Sequence, residues 1–123
     1  MDRLAREVIG AAIEVHRVLG PGLLESHYEE ALCLELTARS IPFVRQRAVE
    51  INYKGRPIGT SRLDLLVGDE LVVELKAIDA LAPVHTAQLV SYLKMTGCTL
   101  GLLINFNVSV LKDGVKRVAV SRS

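Results

Sequence analysis

Two runs decide the fold: Ile58-Gly59-Thr60-Ser61-Arg62-Leu63-Asp64-Leu65-Leu66-Val67 and Leu71-Val72-Val73-Glu74-Leu75-Lys76-Ala77, separated by Gly68-Asp69-Glu70. Aliphatic and β-branched residues fill both runs, and the residues between them are turn formers, so they read as paired antiparallel strands. Side chains alternate faces along a strand. Leu63, Leu65, Val67, Leu71, Val73 and Leu75 fall on one wholly apolar face, which must meet a core. The other face carries Thr60, Arg62, Asp64 and Leu66 with Val72, Glu74 and Lys76. A three-residue loop puts Val67 opposite Leu71. Counting back, Leu66 faces Val72, Asp64 faces Glu74 and Arg62 faces Lys76. Register alone therefore sets two carboxylates about 5 Å apart at Cβ on one sheet face. Such a pair is destabilising unless Lys76, Arg62 or a divalent cation neutralises it.

That arrangement suits one chemistry. Mg²⁺ and Mn²⁺ are hard ions that take oxygen ligands, often one or two carboxylates, and leave positions for water and phosphate oxygens. A bound ion lowers the pKa of its water and polarises a phosphoryl group. A nearby lysine can orient the attacking water or stabilise charge that builds on the phosphate.

Outward from this hairpin the chain alternates helix and strand signals. Leu4, Val8, Ala12, Val15 and Leu19 form one helical stripe after an Asp2 cap, and Gly20-Pro21-Gly22 breaks it. A second helix runs from about Leu24 to Ala38, with Leu24, Tyr28, Ala31, Leu32 and Leu36 on its apolar side. Phe43 to Tyr53 is strand-like with broken alternation, which predicts a bulge. Lys54-Gly55-Arg56 is a turn. Pro83 opens a third helix, about Val84 to Met95, and Gly97 stops it. Thr99 to Ile104 is nearly all apolar and predicts a strand buried on both faces. In the tail, Val108 to Val120, Asp113-Gly114 signals a hairpin. The order is ααβββαβ plus a terminal ribbon, an α/β layer fold in one domain over residues 1–123.

Asp64 followed by Glu74-Leu75-Lys76 on the next strand resembles the core motif of the PD-(D/E)XK nuclease superfamily. In that superfamily the helix before the sheet often adds a glutamate, and Glu25 is the matching position here. The string Gly22-Leu23-Leu24-Glu25-Ser26-His27-Tyr28 resembles the signature of the GxxExxY proteins, a branch of that superfamily. Gln88-Leu89-Val90-Ser91-Tyr92 is similar to the Gln-x-x-x-Tyr element of RecB-like and lambda-exonuclease-like nucleases. The resemblance spans residues 8 to 120. It departs from the family pattern at one place: Leu63, not proline, precedes Asp64. The fold it implies is restriction-endonuclease-like, an αβββαβ core with a mixed sheet flanked by helices, an extra N-terminal helix and a C-terminal β-ribbon. The function it implies is Mg²⁺/Mn²⁺-dependent hydrolysis of nucleic-acid phosphodiesters. Asp64, Glu74 and the backbone carbonyl of Leu75, with Glu25, would hold the ion. Lys76 joins Asp64 and Glu74 as a catalytic residue. Gln88, Tyr92 and Arg62 would orient substrate or the lysine.

Composition bounds these expectations. The chain has 123 residues, 50% of them apolar, with a mean hydropathy of +0.30, which excludes disorder. No apolar run approaches the ~20 residues of a membrane span. The N-terminus lacks the apolar block of a signal peptide, so a cytoplasmic protein without membrane contact is expected. Cys33 and Cys98 read as reduced, buried thiols. His16, His27 and His85 have no zinc spacing, and a lone helical histidine is more often a surface or capping residue than a ligand. No phosphate loop or nucleophile elbow occurs.

The net charge of +1 divides into alternating blocks: −4 over residues 1–38, +5 over 39–62, −4 over 63–79 and +4 over 80–123. Arg39, Arg45, Arg47, Lys54 and Arg56 cluster around the first strand, and Lys112, Lys116, Arg117 and Arg122 in the tail. A nucleic-acid groove would use such clusters against phosphates, and a charged edge strand would explain either one equally well. Only 4% of the chain is aromatic and Trp is absent, so backbone recognition, with DNA the expected partner, is favoured over base stacking. With no large insertion to grip a substrate, a small greasy domain is compatible with a homodimer. The alternative from another class is a non-catalytic nucleic-acid-binding or protein-interaction module that keeps the nuclease fold.

Overall fold

The computed structural model describes residues 2–121; the Asp2 side chain and Arg122 lie outside the described residues. Three helices, α1 (Asp2–Leu19), α2 (Glu25–Ala38) and α3 (Pro83–Thr96), accompany five strands: β1 (Phe43–Tyr53), β2 (Arg56–Val67), β3 (Leu71–Lys76), β4 (Leu100–Asn105) and β5 (Val115–Ala119). The strands form one sheet in the order β1-β2-β3-β4-β5. Only the β3–β4 pair is parallel, and α3 makes the crossover that a parallel pair requires. The sheet is therefore mixed, as the expected fold demands.

Both faces of the sheet are covered. Leu65, Val67, Leu71, Val73, Leu75, Leu102 and Ile104 pack against Val8, Val15, Leu32 and Leu36 of α1 and α2. Leu66, Val72 and Leu103 pack against Leu89, Tyr92 and Leu93 of α3. Every residue from Leu71 to Leu75 and from Leu100 to Asn105 is buried, so β3 as well as β4 is a two-sided core strand. Leu63 departs from the expected alternation. It joins the α3-side cluster with Leu66 instead of the Leu65 side. Asp64 is the residue between, and Gln46, at the matching position on β1, takes a left-handed φ of 50°. The two strands thus lose their regular pleat together. A second irregularity in the β1–β2 ladder falls between Ile51 and Asn52, inside the segment where a bulge is expected.

Local signals account for most element ends. The hairpin turn after β2 has Gly68 and Asp69 at positive φ, and it sets Val67 opposite Leu71 and Leu66 opposite Val72, as loop length predicts. Gly97 ends α3 in the left-handed conformation, φ 81°. Leu19 ends α1 as expected, but Leu19 and Leu24, expected on apolar helix faces, are both exposed, and Leu24 precedes α2. The terminal ribbon is corrected. Asp113-Gly114 closes a short 3-10 turn, Leu111–Gly114, and the strand that follows pairs with β4 instead of with residues 108–112. Gly114 is required there because a Cβ would collide with the Asn105 carbonyl.

The start of α2 is anchored by Tyr28. Its ring stacks on Phe106 at 4.5 Å between centroids. Its hydroxyl donates to the Gly20 carbonyl at 2.6 Å and accepts from the Leu23 N–H at 3.1 Å. The Gly20–Leu23 loop is thereby tied to the helix it introduces, which sets where Glu25 begins. Tyr28→Phe keeps the ring stack and removes both bonds. It is expected to lower unfolding stability by about 1–3 kcal/mol, read from urea denaturation; an unchanged midpoint would show that the loop holds itself.

Candidate active site

The β2–β3 ladder ends at Leu65–Val73, although both strands continue. One residue further on, side chains take over the pairing. The Asp64 N–H donates to Glu74 Oε2 at 2.8 Å, and the Leu75 N–H donates to Asp64 Oδ2 at 2.8 Å. Each carboxylate satisfies a backbone donor of the opposite segment that the ladder no longer serves. The expected juxtaposition of Asp64 and Glu74 is present, and it is built from these two bonds instead of regular cross-strand pairing.

Burial makes this pair electrostatically costly. Glu74 is 5% exposed and Asp64 is half-buried. Burial, with the neighbouring Asp64 charge second, pushes the Glu74 carboxyl up to about 8. Burial also raises Asp64, against the Leu75 N–H and Lys76, which lower it. Glu25 stands at the first turn of α2 and is raised by desolvation and then by the Asp64 charge. Lys76 acts on all three carboxylates, yet forms no ion pair within 4 Å among the described residues.

Lys76 is positioned through its backbone. Its carbonyl accepts from the Phe106 N–H at 2.9 Å. Asn105, 2% exposed and opposite Lys76 in the β3–β4 register, clamps the chain just beyond: its side chain donates to the Ile78 carbonyl at 2.9 Å and accepts from the Ile78 N–H at 3.1 Å.

Other expected site residues are placed differently. Arg62 is not opposite Lys76, because the β2–β3 ladder stops before reaching it. It faces Ala48 of β1, and its guanidinium donates to the Gln46 carbonyl at 3.3 Å. Tyr92 is buried in the α3-side core, its hydroxyl 2.7 Å from Ser61 Oγ. Gln88 is exposed one turn nearer the start of α3. His27 and His85 are caps: their Nδ1 atoms accept from the Leu24 and Ala82 N–H groups. His16 bonds the Val108 carbonyl at 2.7 Å. Cys33 is buried, with its thiol pushed up to about 11 by burial, and Cys98 is only partly buried; both are free.

Two residues beside the site escaped the sequence reading. Glu29 is almost buried and holds β1 to α2: Arg45 donates to its Oε2 at 3.0 Å and Gln46 to its Oε1 at 2.9 Å. Gln46 and Asp64 both lie between the Arg45–Leu65 and Arg47–Leu63 pairs, and the Gln46 amide lowers the Asp64 pKa. The available signal was the four-residue step from Glu25 to Glu29, which puts both on one helix face. Gln46 had none, since its role depends on a left-handed backbone inside a strand.

A family model described as the PD-(D/E)XK nuclease superfamily matches residues 2–118, and the chain belongs to that superfamily. The crystal structure of SSO0001 shares the fold, with a TM-score of 0.58 and 20% identity over 80% of this chain and 50% of that one. This chain therefore spans about half the length of that relative. A comparison with curated proteins gives no match. No helix among the described residues is long and apolar enough to cross a membrane.

Nucleases of this superfamily generally use divalent metal ions. The donor set here fits a hard cation: two adjacent carboxylates, desolvated and mutually repelling, each held by one oxygen to a backbone amide. No group of three His, Cys, Asp or Glu side chains among the described residues is gathered closely enough to hold an ion by itself, so the expected trio with Glu25 is not assembled.

The raised Glu74 pKa has a measurable consequence. Between 4.5, its ordinary value, and about 8, the folded protein keeps a proton that the unfolded chain releases. Stability therefore falls as pH rises through that window. Glu74→Gln retains an acceptor for the Asp64 N–H and is expected to flatten the fall. Without divalent ions it should exceed the wild type near pH 8 by on the order of a few kcal/mol. Urea unfolding at about pH 5 and about pH 8 tests this; equal slopes for the two proteins would refute it.

Proposed function

We propose that this protein is a Mg²⁺- or Mn²⁺-dependent nuclease that hydrolyses nucleic-acid phosphodiesters, with DNA as its substrate, and that it belongs to the GxxExxY, RecB-like branch of the superfamily. The observation that carries the reading is the reciprocal attachment of Asp64 and Glu74 to each other's strands. It holds two carboxylates side by side in a desolvated position with a lysine two residues on. A structural pair would be more cheaply replaced by apolar residues.

Asp64, Glu74 and the Leu75 carbonyl would hold the ion, and Glu25 would complete the set by a side-chain movement from the start of α2. A bound ion there supplies a water of lowered pKa and a Lewis acid for the phosphoryl oxygen. The chain's own part is to orient and to carry charge. The Lys76 ammonium, beside the carboxylates but unpaired with them, is the group that steers the attacking water or stabilises the anionic transition state. The Asn105 clamp and the Phe106 amide fix the strand end from which Lys76 projects. Arg62 neutralises phosphate beside the site. Gln88 orients substrate from α3, and Tyr92 sets the position of α3 on β2 through Ser61. A homodimer in the cytoplasm is the accompanying proposal.

Calorimetric titration with Mn²⁺ is expected to show saturable binding that Asp64→Asn abolishes while circular dichroism stays unchanged. Lys76→Ala should bind Mn²⁺ like the wild type and lower cleavage by about 10²–10³-fold. Absence of Mn²⁺ binding by the folded wild type, or cleavage untouched by Lys76→Ala, would overturn the catalytic reading in favour of a non-catalytic module.

A further inference from the structure

The β1 and β2 strands are 11 and 12 residues long, whereas β3 has 6 and meets β2 only over Leu65–Val67. Residues 48–62 therefore leave the sheet as a two-stranded ribbon, beginning two residues from Asp64. The root of the ribbon is fixed, since Val49 packs with Tyr92 and Leu93, and Ser61 bonds Tyr92. Beyond the root both faces are almost wholly exposed. The ribbon ends in a two-residue turn, Lys54-Gly55, with both residues at positive φ, the type whose twist suits a hairpin. The whole ribbon has about six residue pairs, or ~20 Å, of which about four lie beyond the root.

The structure sorts the basic residues of this region into two groups. Arg39 is bound to Glu35, and Arg45 to Glu29 and Glu30, so neither charge is available. Arg47, Lys54, Arg56 and Arg62 are exposed and form no ion pair among the described residues. Glu50 is the single acid among residues 47–62, which leaves this segment at +3. The cations are spread over both faces and the tip: Arg47 lies across from Leu63 on one face, Arg62 across from Ala48 on the other, and Lys54 and Arg56 at the end. Protecting an exposed strand edge needs charge of either sign. Four cations without an acidic partner against one acid, two of them held only by the Gln46 carbonyl (Arg62) and the Tyr53 ring (Lys54), adjoin a group of carboxylates that repels polyanions, which is what a phosphate-binding arm needs.

We propose that the β1–β2 ribbon, residues 48–62 with Arg47 at its root, is an arm that grips the phosphate backbone of a nucleic-acid duplex beside the Asp64–Glu74 site. The inference rests on the nuclease reading for its position and adds the substrate class, double-stranded. A major groove about 12 Å wide admits a two-stranded ribbon, and one lying there meets phosphates on both sides. Free cations on both faces match that environment. A ribbon ~20 Å long spans about six base pairs. The arm supplies the grip that a short chain without a large insertion otherwise lacks, and its contacts are independent of sequence.

The test is fluorescence anisotropy in EDTA with a duplex of about 20 base pairs, so that neither metal nor cleavage enters. The variant Lys54→Asn/Arg56→Gln suits the turn, since Asn tolerates the left-handed position that Lys54 holds. Lys112→Gln/Lys116→Gln in the tail is the charge-matched control. The arm variant is expected to bind at least tenfold more weakly and to reduce the slope of log K against log salt by about 2, near 0.9 per lost phosphate contact. The control should keep most of the affinity and the slope. A wild type that does not bind duplex, an arm variant equal to the wild type, or equal losses in arm and tail variants would each overturn the proposal. A wild-type dimer that the arm variant turns into a monomer, with duplex binding unchanged, would assign the ribbon to self-association instead. Mn²⁺ titration of the same variant separates the two readings: intact metal binding with intact duplex binding refutes the arm alone.

Discussion

The site depends on a pair of hydrogen bonds made where β-sheet pairing stops. A strand that leaves its neighbour exposes amides that must find partners. Here the Asp64 N–H and the Leu75 N–H are satisfied by carboxylates of the opposite segment. The same bonds thus hold the strands at the point of divergence and hold two acids at one spot. Burial raises both carboxyls, helped by the Glu29 charge at Asp64 and by the Asp64 charge at Glu74, and a bound cation would reverse the shift. Structural and chemical roles are inseparable at this pair.

The two-layer covering of the sheet serves that arrangement. Because β3 is buried on both faces, Glu74 sits in a desolvated position while Lys76, at the strand's end, is only partly buried. Tyr28 and Phe106 link the two regions that flank the site. The Tyr28 hydroxyl secures the loop before Glu25, its ring rests on Phe106, and the Phe106 amide holds the Lys76 carbonyl. On the other side, Glu29 and Gln46 bind α2 to β1 at the level of Asp64. The carboxylates are therefore framed by contacts from α2, β1 and β4.

Charge is separated on a short length scale. Asp64 and Glu29 raise the Glu25 pKa, Glu29 raises that of Asp64, and Asp64 and Glu25 raise that of Glu74. A polyanion would be repelled from such a group without compensating charge nearby. The unpaired cations of the ribbon begin two residues from Asp64, whereas Arg39 and Arg45, adjacent in sequence to them, are neutralised by α2.

Much of this was legible in the sequence, because the signals were local. Strand period, turn length and turn residues determined the β2–β3 register as far as Leu66 and Val72, and with it the pairing of Asp64 with Glu74. Pro83 and Gly97 marked the ends of α3, and the four family elements in order pointed to the superfamily. The tertiary structure decided what local rules cannot reach. Counting in register carried Arg62 to Lys76, but the ladder ends first, since the carboxylates displace backbone pairing. Alternation put Leu63 with Leu65, but the pleat breaks at Asp64 and Gln46. Whether an arginine is free or bound depends on which glutamate of a distant helix lies opposite it. Asn105, Gln46 and Glu29 become site neighbours only when β4, β1 and α2 are brought around β3. Secondary structure and register follow from neighbours along the chain; convergence of side chains follows from contacts between elements far apart in it.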